Sequence, residues 1–216
     1  MLKREREQIV HYCRLMQSRS LTRGTGGNIS IRNGEHIAIS PSGVEYQTMT
    51  PHDVPVVDME GKVIFGSLTP SSELSMHLAC YARRPDISAV VHTHSTFATV
   101  LACMEKPLPP VHYLIGYAGD HVPCIPYYPF GSEALAQAAA DAMTQNGVLL
   151  GHHGLITVGP NIERAFAAAE EVEFVAELYC RTEALGGAKP LTPEQMADAS
   201  RRFASYGQGK TTKEEK

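Results

Sequence analysis

The sequence predicts a single α/β domain in which helices flank a central, largely antiparallel sheet. Helix and strand signals alternate along the 216 residues, and no internal repeat or low-complexity linker divides the chain. Several extended segments come in pairs around tight-turn dipeptides, and strands joined by such turns are antiparallel neighbours. We expect this domain to cover residues 1–207 and a charged, disordered tail to occupy residues 208–216.

The first part of the chain combines one long helix with two hairpins. Apolar residues recur at helical spacing over residues 3–19, which predicts a helix. Hairpins follow around Asn33-Gly34 and Glu60-Gly61, because the residues of such turns tolerate positive φ. The four predicted strands are 29–32, 36–40, 55–58 and 62–65.

The rest of the chain alternates helices with strands. A polar residue suited to an N-cap precedes each helical pattern. The expected helices run from Ser71 or Ser72 to about Arg84, from Ser95 to about Met104, from Ser132 to about Gln145, from Asn161 to about Leu185, and onward from Thr192. The expected strands between them are 89–94, 148–150 and 155–158.

Charge and hydropathy exclude several classes of protein. The 19 Lys and Arg against 23 Asp and Glu give a net charge of −4, which argues against binding of nucleic acid or anionic membranes through bulk charge. No apolar run approaches the roughly 18 residues of a membrane-spanning helix, and the N-terminus lacks the apolar core of a signal peptide. We therefore expect a cytoplasmic protein that has neither nucleic acid nor a membrane as its partner.

The chain contains ten histidines, which suggests a metal site bound by imidazoles. A site bound by cysteines is not expected, because the five scattered Cys form no C-x-x-C pair. His92 and His94 end a predicted strand, and alternate residues share a face there about 6–7 Å apart, so both imidazoles could bind one ion. His152 and His153 lie in a turn that could supply a third imidazole, with Gly154 letting the backbone pass close by. Alternatively, His92 and His94 are simply polar residues at a strand end, and His152 and His153 belong to a solvated turn. Together the two motifs favour a three-histidine metal site with an open coordination position.

Glu73 and three small-residue turns are further candidates. Capping is a sufficient structural explanation for Glu73, which the helix dipole stabilises in the first turn of its helix. A functional role requires that Glu73 face the metal as a ligand or a base. The turns 24–28, 42–43 and 71–72 carry the hydroxyls and backbone amides of a phosphate cradle, although each alone is an ordinary turn. The spacing of the tyrosines does not show which of them could act as a general acid.

Five motifs in a fixed order resemble those of a known enzyme family. GTGGNIS at 24–30, SPSG at 40–43, PSSE at 70–73, HTH at 92–94 and HHG at 152–154 resemble the class II, zinc-dependent aldolase/epimerase family. This likeness extends from the first helix to Tyr206-Gly207 and implies the three-layer aldolase/adducin fold. The segment His112–Phe130 is most similar to the bacterial L-fuculose-1-phosphate aldolases within that family.

The resemblance implies a role for each motif. Zinc would be bound by His92, His94 and His153, and Glu73 would contact zinc in the resting enzyme and act as the acid/base once substrate displaces it. Tyr113 from a neighbouring subunit would protonate the aldehyde oxygen, and Tyr206 would help to close the site. The residues expected to bind the substrate phosphate are Gly27, Asn28, Ser42, Gly43, Ser71 and Ser72. The assembly would be a homotetramer of C4 symmetry with its sites at subunit interfaces.

The implied reaction is cleavage of a small sugar phosphate. The expected substrate is L-fuculose 1-phosphate, which would give dihydroxyacetone phosphate and L-lactaldehyde. A sugar-phosphate 4-epimerase or a sugar-acid phosphate decarboxylase is the alternative, and Asp120 lies near a position where the epimerases carry an acidic residue. A non-catalytic scaffold of the same fold is disfavoured, because this chain retains all three histidines.

Overall fold

Eight strands form one sheet through the centre of the molecule in the computed structural model, which describes residues 1–205. Their order is β4-β3-β2-β1-β5-β8-β7-β6, and each neighbouring pair is antiparallel except β6 and β7, which are parallel. The strands are β1 (Asn28–Asn33), β2 (His36–Ile39), β3 (Val56–Val57), β4 (Val63–Phe65), β5 (Ala89–Thr93), β6 (Cys124–Ile125), β7 (Gly147–Leu150) and β8 (Gly154–Gly159). The prediction of a largely antiparallel sheet is confirmed.

Helices cover both faces of this sheet. They are α1 (Lys3–Ser18), α2 (Leu74–Arg83), α3 (Thr96–Cys103), α4 (Glu133–Ala142), α5 (Ile162–Glu183) and α6 (Pro193–Ser205), and Tyr113–Tyr117 form a 3-10 helix. One apolar core lies between the sheet and helices α1, α3, α5 and α6, with Phe166 and Val172 among its buried residues. A second core lies under α2 and α4 and contains Tyr81 and Leu135. The molecule therefore has three layers, with the sheet in the middle.

Several local sequence patterns fold as predicted. The hairpin predicted around Asn33-Gly34 joins β1 to β2, but its turn is Gly34-Glu35, because Asn33 is still in β1 and pairs with His36; Gly34 has a φ of 62°. Ser132 and Asn161 each accept a hydrogen bond from the backbone N–H three residues further on. Thr192 forms the expected capping box with Gln195 at the start of α6. These signals are reliable because donor and acceptor lie within one turn of each other.

The start of α2 differs from the prediction. Neither Ser71 nor Ser72 caps the helix, which begins at Leu74 with Glu73 in the N-cap position at φ −105° and ψ 19°. The hydroxyl of Ser71 instead accepts a hydrogen bond from the backbone N–H of Glu73 at 3.2 Å. The side chain of Glu73 makes no capping hydrogen bond to its own helix. Its carboxylate is therefore available to other groups.

Other differences arise from contacts between distant segments. At the start of α3 the carboxylate of Glu173 accepts the N–H groups of Phe97 and Ala98, so Ser95 holds the N-cap position without a side-chain hydrogen bond. Helix α4 ends at Ala142, earlier than expected, and the following Gln145 carbonyl accepts a hydrogen bond from Arg84. The 3-10 helix and the two-residue strand β6 are not foreseen by the sequence patterns.

Some predictions concern residues beyond 205. Tyr206, the 207/208 domain boundary and the tail 208–216 lie outside the described residues, so the predictions about them stay predictions. Between residues 1 and 205, no helix combines the length and the apolar character needed to cross a membrane.

Candidate active site

The end of β5 and the turn before β8 bring three imidazoles together. His92 lies in β5, His94 follows the last residue of that strand, and His153 lies in the turn between β7 and β8. Strands β5 and β8 are antiparallel neighbours, with His92 opposite Ile156, so the beginning of β8 meets the end of β5. Each histidine offers one ring nitrogen, and these nitrogens lie within 4.8 Å of one another.

His92 is fixed in one orientation by the backbone. Its Nδ1 lies 2.9 Å from the carbonyl oxygen of Leu155, which can only accept, so Nδ1 carries the proton. The other nitrogen, Nε2, is therefore unprotonated in the neutral ring and lies 3.0 Å from Nε2 of His94. A hydrogen bond of this kind, to a backbone carbonyl, a carboxylate or water, commonly orients a metal-ligating histidine.

Glu73 completes the cluster. Its Oε2 lies 3.2 Å from Nε2 of His92, and its Oε1 lies 3.3 Å from Nε2 of His153. The side-chain amide of Asn28 donates to Oε2 at 2.9 Å, whereas Oε1 is buried and has no hydrogen-bond partner among the described residues. A buried, unpartnered carboxylate oxygen beside three imidazole nitrogens is a donor set that fits a divalent metal ion.

Electrostatics put His94, His153 and Glu73 in the protonation states that metal binding requires. Burial, together with the neighbouring His92, lowers the pKa of His94 to about 3 and that of His153 to about 4. Burial raises the pKa of the Glu73 carboxyl, but His92, His153 and the Asn28 amide lower this pKa by a larger amount. The resulting pKa lies well below the usual range of a glutamate. Near neutral pH the rings of His94 and His153 are therefore neutral, and the carboxylate of Glu73 beside them is ionised.

Two glycines permit the close approach of the backbone. Gly27 has a φ of 69°, and a Cβ there would lie 2.6 Å from the carbonyl oxygen of His92. A Cβ on Gly154 would lie 2.3 Å from the carbonyl oxygen of Thr93. Larger residues at either position would push a loop away from the end of β5, in line with the role that the sequence indicated for Gly154.

A cavity of about 350 Å³ opens above Glu73, His94 and His153. All six residues expected to bind phosphate line it, namely Gly27, Asn28, Ser42, Gly43, Ser71 and Ser72. The cavity is also lined by His152, the other histidine of the predicted turn, and by Tyr127, Tyr128 and Phe130, which the sequence did not place at the site. The three aromatic residues share only their aromatic character, which is too general to identify a cavity.

Tyr113, expected at the site from a neighbouring subunit, is not part of the site within one chain. Tyr113 lies on the 3-10 helix, is half exposed and stacks on Phe203 with ring centroids 5.8 Å apart. It does not line the cavity above Glu73. Tyr206 lies outside the described residues.

Comparison with known proteins agrees with this geometry. The family model of the class II aldolase and adducin N-terminal domain matches residues 7–180. The chain belongs to this family. Class II aldolases are lyases, and the histidine cluster of this one could hold the metal ion on which such enzymes depend.

Individual aldolases match over nearly the whole chain. A 5-deoxy-D-ribulose 1-phosphate aldolase from Bacillus thuringiensis serovar kurstaki is 48% identical over 211 residues, covering 96% of this chain and 99% of the relative. An L-fuculose phosphate aldolase from Haemophilus influenzae is 40% identical over 204 residues, covering 93% and 94%. The solved structure of an L-fuculose 1-phosphate aldolase superimposes with a TM-score of 0.90 at 38% identity, covering 93% and 96%.

Proposed function

We propose that this class II aldolase uses zinc to cleave a ketose 1-phosphate into dihydroxyacetone phosphate and a short aldehyde. The observation that carries the proposal is the position of the Glu73 carboxylate, 3.2 Å and 3.3 Å from two imidazoles and open to a cavity lined by hydroxyl groups. To bind a metal ion in the resting enzyme and then carry a proton to a substrate carbon, a carboxylate must lie beside the metal-binding imidazoles and also face the substrate cavity.

The residues of the cluster suit zinc. His92, His94 and His153 would be the ligands and Glu73 a fourth, displaceable one, because neutral imidazoles and a carboxylate are common donors for catalytic zinc. When bound, zinc supplies a Lewis acid that stabilises negative charge on the substrate oxygens. Neutral ligands preserve the positive charge of the ion, whereas thiolates would reduce it.

The small-residue turns would bind the substrate phosphate. The backbone N–H groups of Ser42 and Ser71 are already bonded to the carbonyls of Thr69 and Ser40, so these two serines would contribute their hydroxyls. The Ser71 hydroxyl accepts from the N–H of Glu73 and keeps its own proton for a ligand. Among the described residues that line the cavity none is Lys or Arg, so neutral donors would carry the binding.

Proton transfer would be divided between two groups. Cleavage breaks the bond between C3 and C4, leaving an electron pair on C3 and removing the proton of the C4 hydroxyl. Once substrate is bound, the ionised Glu73 carboxylate would take up a proton from solvent and deliver it to C3, and the proton released from the C4 hydroxyl would leave no net change. Tyr113 of the partner subunit would accept the hydroxyl proton in cleavage and protonate the aldehyde oxygen in the reverse reaction.

Two ketose 1-phosphates, which differ in the aldehyde that cleavage releases, are candidate substrates. The likeness to a 5-deoxy-D-ribulose 1-phosphate aldolase at 48% identity favours that ketose, which would release acetaldehyde. The likeness of His112–Phe130 to the L-fuculose-1-phosphate aldolases favours L-fuculose 1-phosphate, which would release L-lactaldehyde. In both cases the other product would be dihydroxyacetone phosphate.

A substrate comparison tests this proposal. The zinc-loaded protein is incubated with each ketose 1-phosphate, both products are identified, and kcat/KM is measured. We expect dihydroxyacetone phosphate and the matching aldehyde in equal amounts, with the higher kcat/KM identifying the preferred substrate. An epimeric sugar phosphate as the sole product, or carbon dioxide from a 3-oxo acid phosphate without any aldol cleavage, would overturn the proposal in favour of the alternative enzymes of this family.

A further inference from the structure

A chain of four buried hydrogen bonds connects the interior of the protein to Glu73. The Tyr81 hydroxyl lies 2.8 Å from Ser30 Oγ, which lies 2.7 Å from His77 Nδ1. His77 Nε2 lies 2.6 Å from Asn28 Oδ1, and Asn28 Nδ2 lies 2.9 Å from Glu73 Oε2. None of the five residues is more than 6% exposed, so water does not compete for these hydrogen bonds.

The regular elements place these residues in register. Glu73, His77 and Tyr81 are spaced by four along the chain at the start of and within α2, and therefore lie on one face of that helix. Asn28 and Ser30 are alternate residues of β1 and point to the same face of the sheet. The hydrogen bonds thus join one face of α2 to one face of β1.

The chemistry of each group gives the chain a single direction. An ionised carboxylate only accepts, so the amide nitrogen of Asn28 donates to Glu73 and the amide oxygen of Asn28 faces His77. His77 Nε2 must then carry the proton. Burial lowers the pKa of His77 to about 3, so its ring is neutral and its Nδ1 accepts a hydrogen bond. That bond comes from the Ser30 hydroxyl, whose oxygen accepts from Tyr81.

We propose that His77 is a positioning residue for the aldol reaction, acting through Asn28 on the carboxylate of Glu73. Its Nε2–H fixes the amide of Asn28 with the nitrogen toward Oε2, and this leaves Oε1 free beside His153. A flipped amide would place its oxygen against the carboxylate and repel it. Since displacement of a catalytic group by about 1 Å can cost about 100-fold in rate, the orientation of this amide affects turnover. The inference rests on the proposed role of Glu73.

Two substitutions of His77 separate positioning from mere packing. In His77→Gln the side-chain amide nitrogen lies near the position of Nε2 and can still donate to Asn28. In His77→Asn the shorter amide reaches only the position of Nδ1, so Asn28 loses its donor. We expect His77→Gln to keep kcat within about 5-fold and His77→Asn to lower kcat by about 100-fold, with KM and metal content nearly unchanged in both.

A matched control comes from another buried hydroxyl. Thr157 is fully buried and donates to the backbone carbonyl of Ala165 at 2.9 Å, away from the chain of hydrogen bonds. Thr157→Val should lower the free energy of unfolding and leave kcat unchanged. Equal kcat losses in His77→Gln and His77→Asn, or a loss in KM or metal content alone, would overturn the inference.

The tautomer of His77 provides a second, independent measurement. Nitrogen-15 NMR of histidine-labelled, zinc-loaded wild-type protein should show a neutral His77 ring with its proton on Nε2, identified by loss of that signal in His77→Gln. A proton on Nδ1 would overturn the inference even if His77→Asn does not fold. Absence of aldol cleavage by the wild-type protein would instead refute the proposed function, which keeps the two failures distinct.

Discussion

The carboxylate of Glu73 is buried, yet among residues 1–205 it touches a single neutral hydrogen-bond donor, Asn28, and two imidazoles. Removing a carboxylate from water without full hydrogen bonding is costly, and such groups are retained where they bind an ion or react. Glu73 occupies the N-cap position of α2, where its backbone N–H donates to the hydroxyl of Ser71. From this position the side chain of Glu73 faces the cavity.

The substitution Glu73→Gln tests the role of this residue. The Gln oxygen can still accept from Asn28, so we expect the variant to fold and to bind zinc. Without an ionisable group, kcat should fall by about 10²–10⁴-fold, the range typical of a lost general acid or base. Steady-state kinetics with metal analysis and thermal unfolding make the measurement. A fully active variant would remove Glu73 from the mechanism, and an unfolded one would show that its role is structural.

The histidines show what residue spacing can and cannot reveal. The HTH motif was sufficient to predict that His92 and His94 act together, because alternation along a strand is a local property. Spacing did not decide between His152 and His153. The turn decides it: His152 has a φ of 53° and lies at the mouth of the cavity, half exposed, whereas Nε2 of His153 points to Glu73.

At the scale of elements, the site depends on how closely β8 approaches β5. Gly154 begins β8, and a Cβ there would lie 2.3 Å from the Thr93 carbonyl oxygen. We expect Gly154→Ala to separate the two strands and to lower zinc content along with the free energy of unfolding.

A glycine at the other end of the same hairpin provides the control for this change. At Gly147 the nearest atom to an added Cβ is a side-chain carbon 3.3 Å away. Gly147→Ala should therefore keep its zinc even if it loses some stability. Equal zinc contents in the two alanine variants, measured by elemental analysis, would show that the approach of the strands does not control the site.

The contact between α2 and β1 makes stability depend on pH. His77 is fully buried, and burial lowers its pKa to about 3, below the ordinary value of 6.5. Below pH 6.5 the unfolded chain therefore binds a proton that the folded chain does not. Stability is complete above pH 6.5 and is lost as the pH falls toward 3, with a limiting slope of about 1.4 kcal/mol per pH unit for this group.

Comparison with His77→Gln isolates this contribution. Urea unfolding at several pH values between 4 and 7 should show a steeper loss of stability for the wild-type protein than for His77→Gln on the acid side. Parallel pH profiles would mean that His77 binds a proton equally well in both states.

The elements that the sequence predicts are those stabilised by neighbouring residues. The hairpin between β1 and β2 and the caps at Ser132 and Asn161 depend on contacts within a few positions, and all three form, the hairpin with its turn one residue later than expected. Strand β6 has two residues, too few for a periodic pattern, and it exists because it pairs with β7 across an intervening helix. The cap of α3 by Glu173 likewise joins segments far apart in the chain.

At the scale of the whole molecule, aromatic side chains on the surface suggest how copies assemble. Tyr113 is 49% exposed, and Phe130, at the mouth of the cavity, is 75% exposed. Large exposed aromatic residues of this kind are enriched at protein interfaces. We propose that the chain forms a homotetramer in which Tyr113 of the partner subunit reaches the cavity, a contact that no pattern within one chain can reveal.

Mixing two inactive variants tests this assembly. Glu73→Gln and Tyr113→Phe should each have low activity as homo-oligomers. Subunit exchange in equal amounts should restore about a quarter of the sites in a four-fold ring, because a site needs an intact Glu73 from one subunit and an intact Tyr113 from the next. Activity equal to the average of the two parents after verified exchange would place both residues in one subunit or exclude Tyr113 from the reaction.

The central claim is that aldol cleavage depends on a metal ion held by His92, His94 and His153 beside Glu73. The most direct measurement follows dihydroxyacetone phosphate release from the ketose 1-phosphates by the protein as prepared with zinc, after chelation and dialysis, and after zinc is restored. We predict release that disappears on chelation and returns with zinc. Release that persists after complete metal removal, or no release by the zinc-loaded protein from either ketose, would contradict the account.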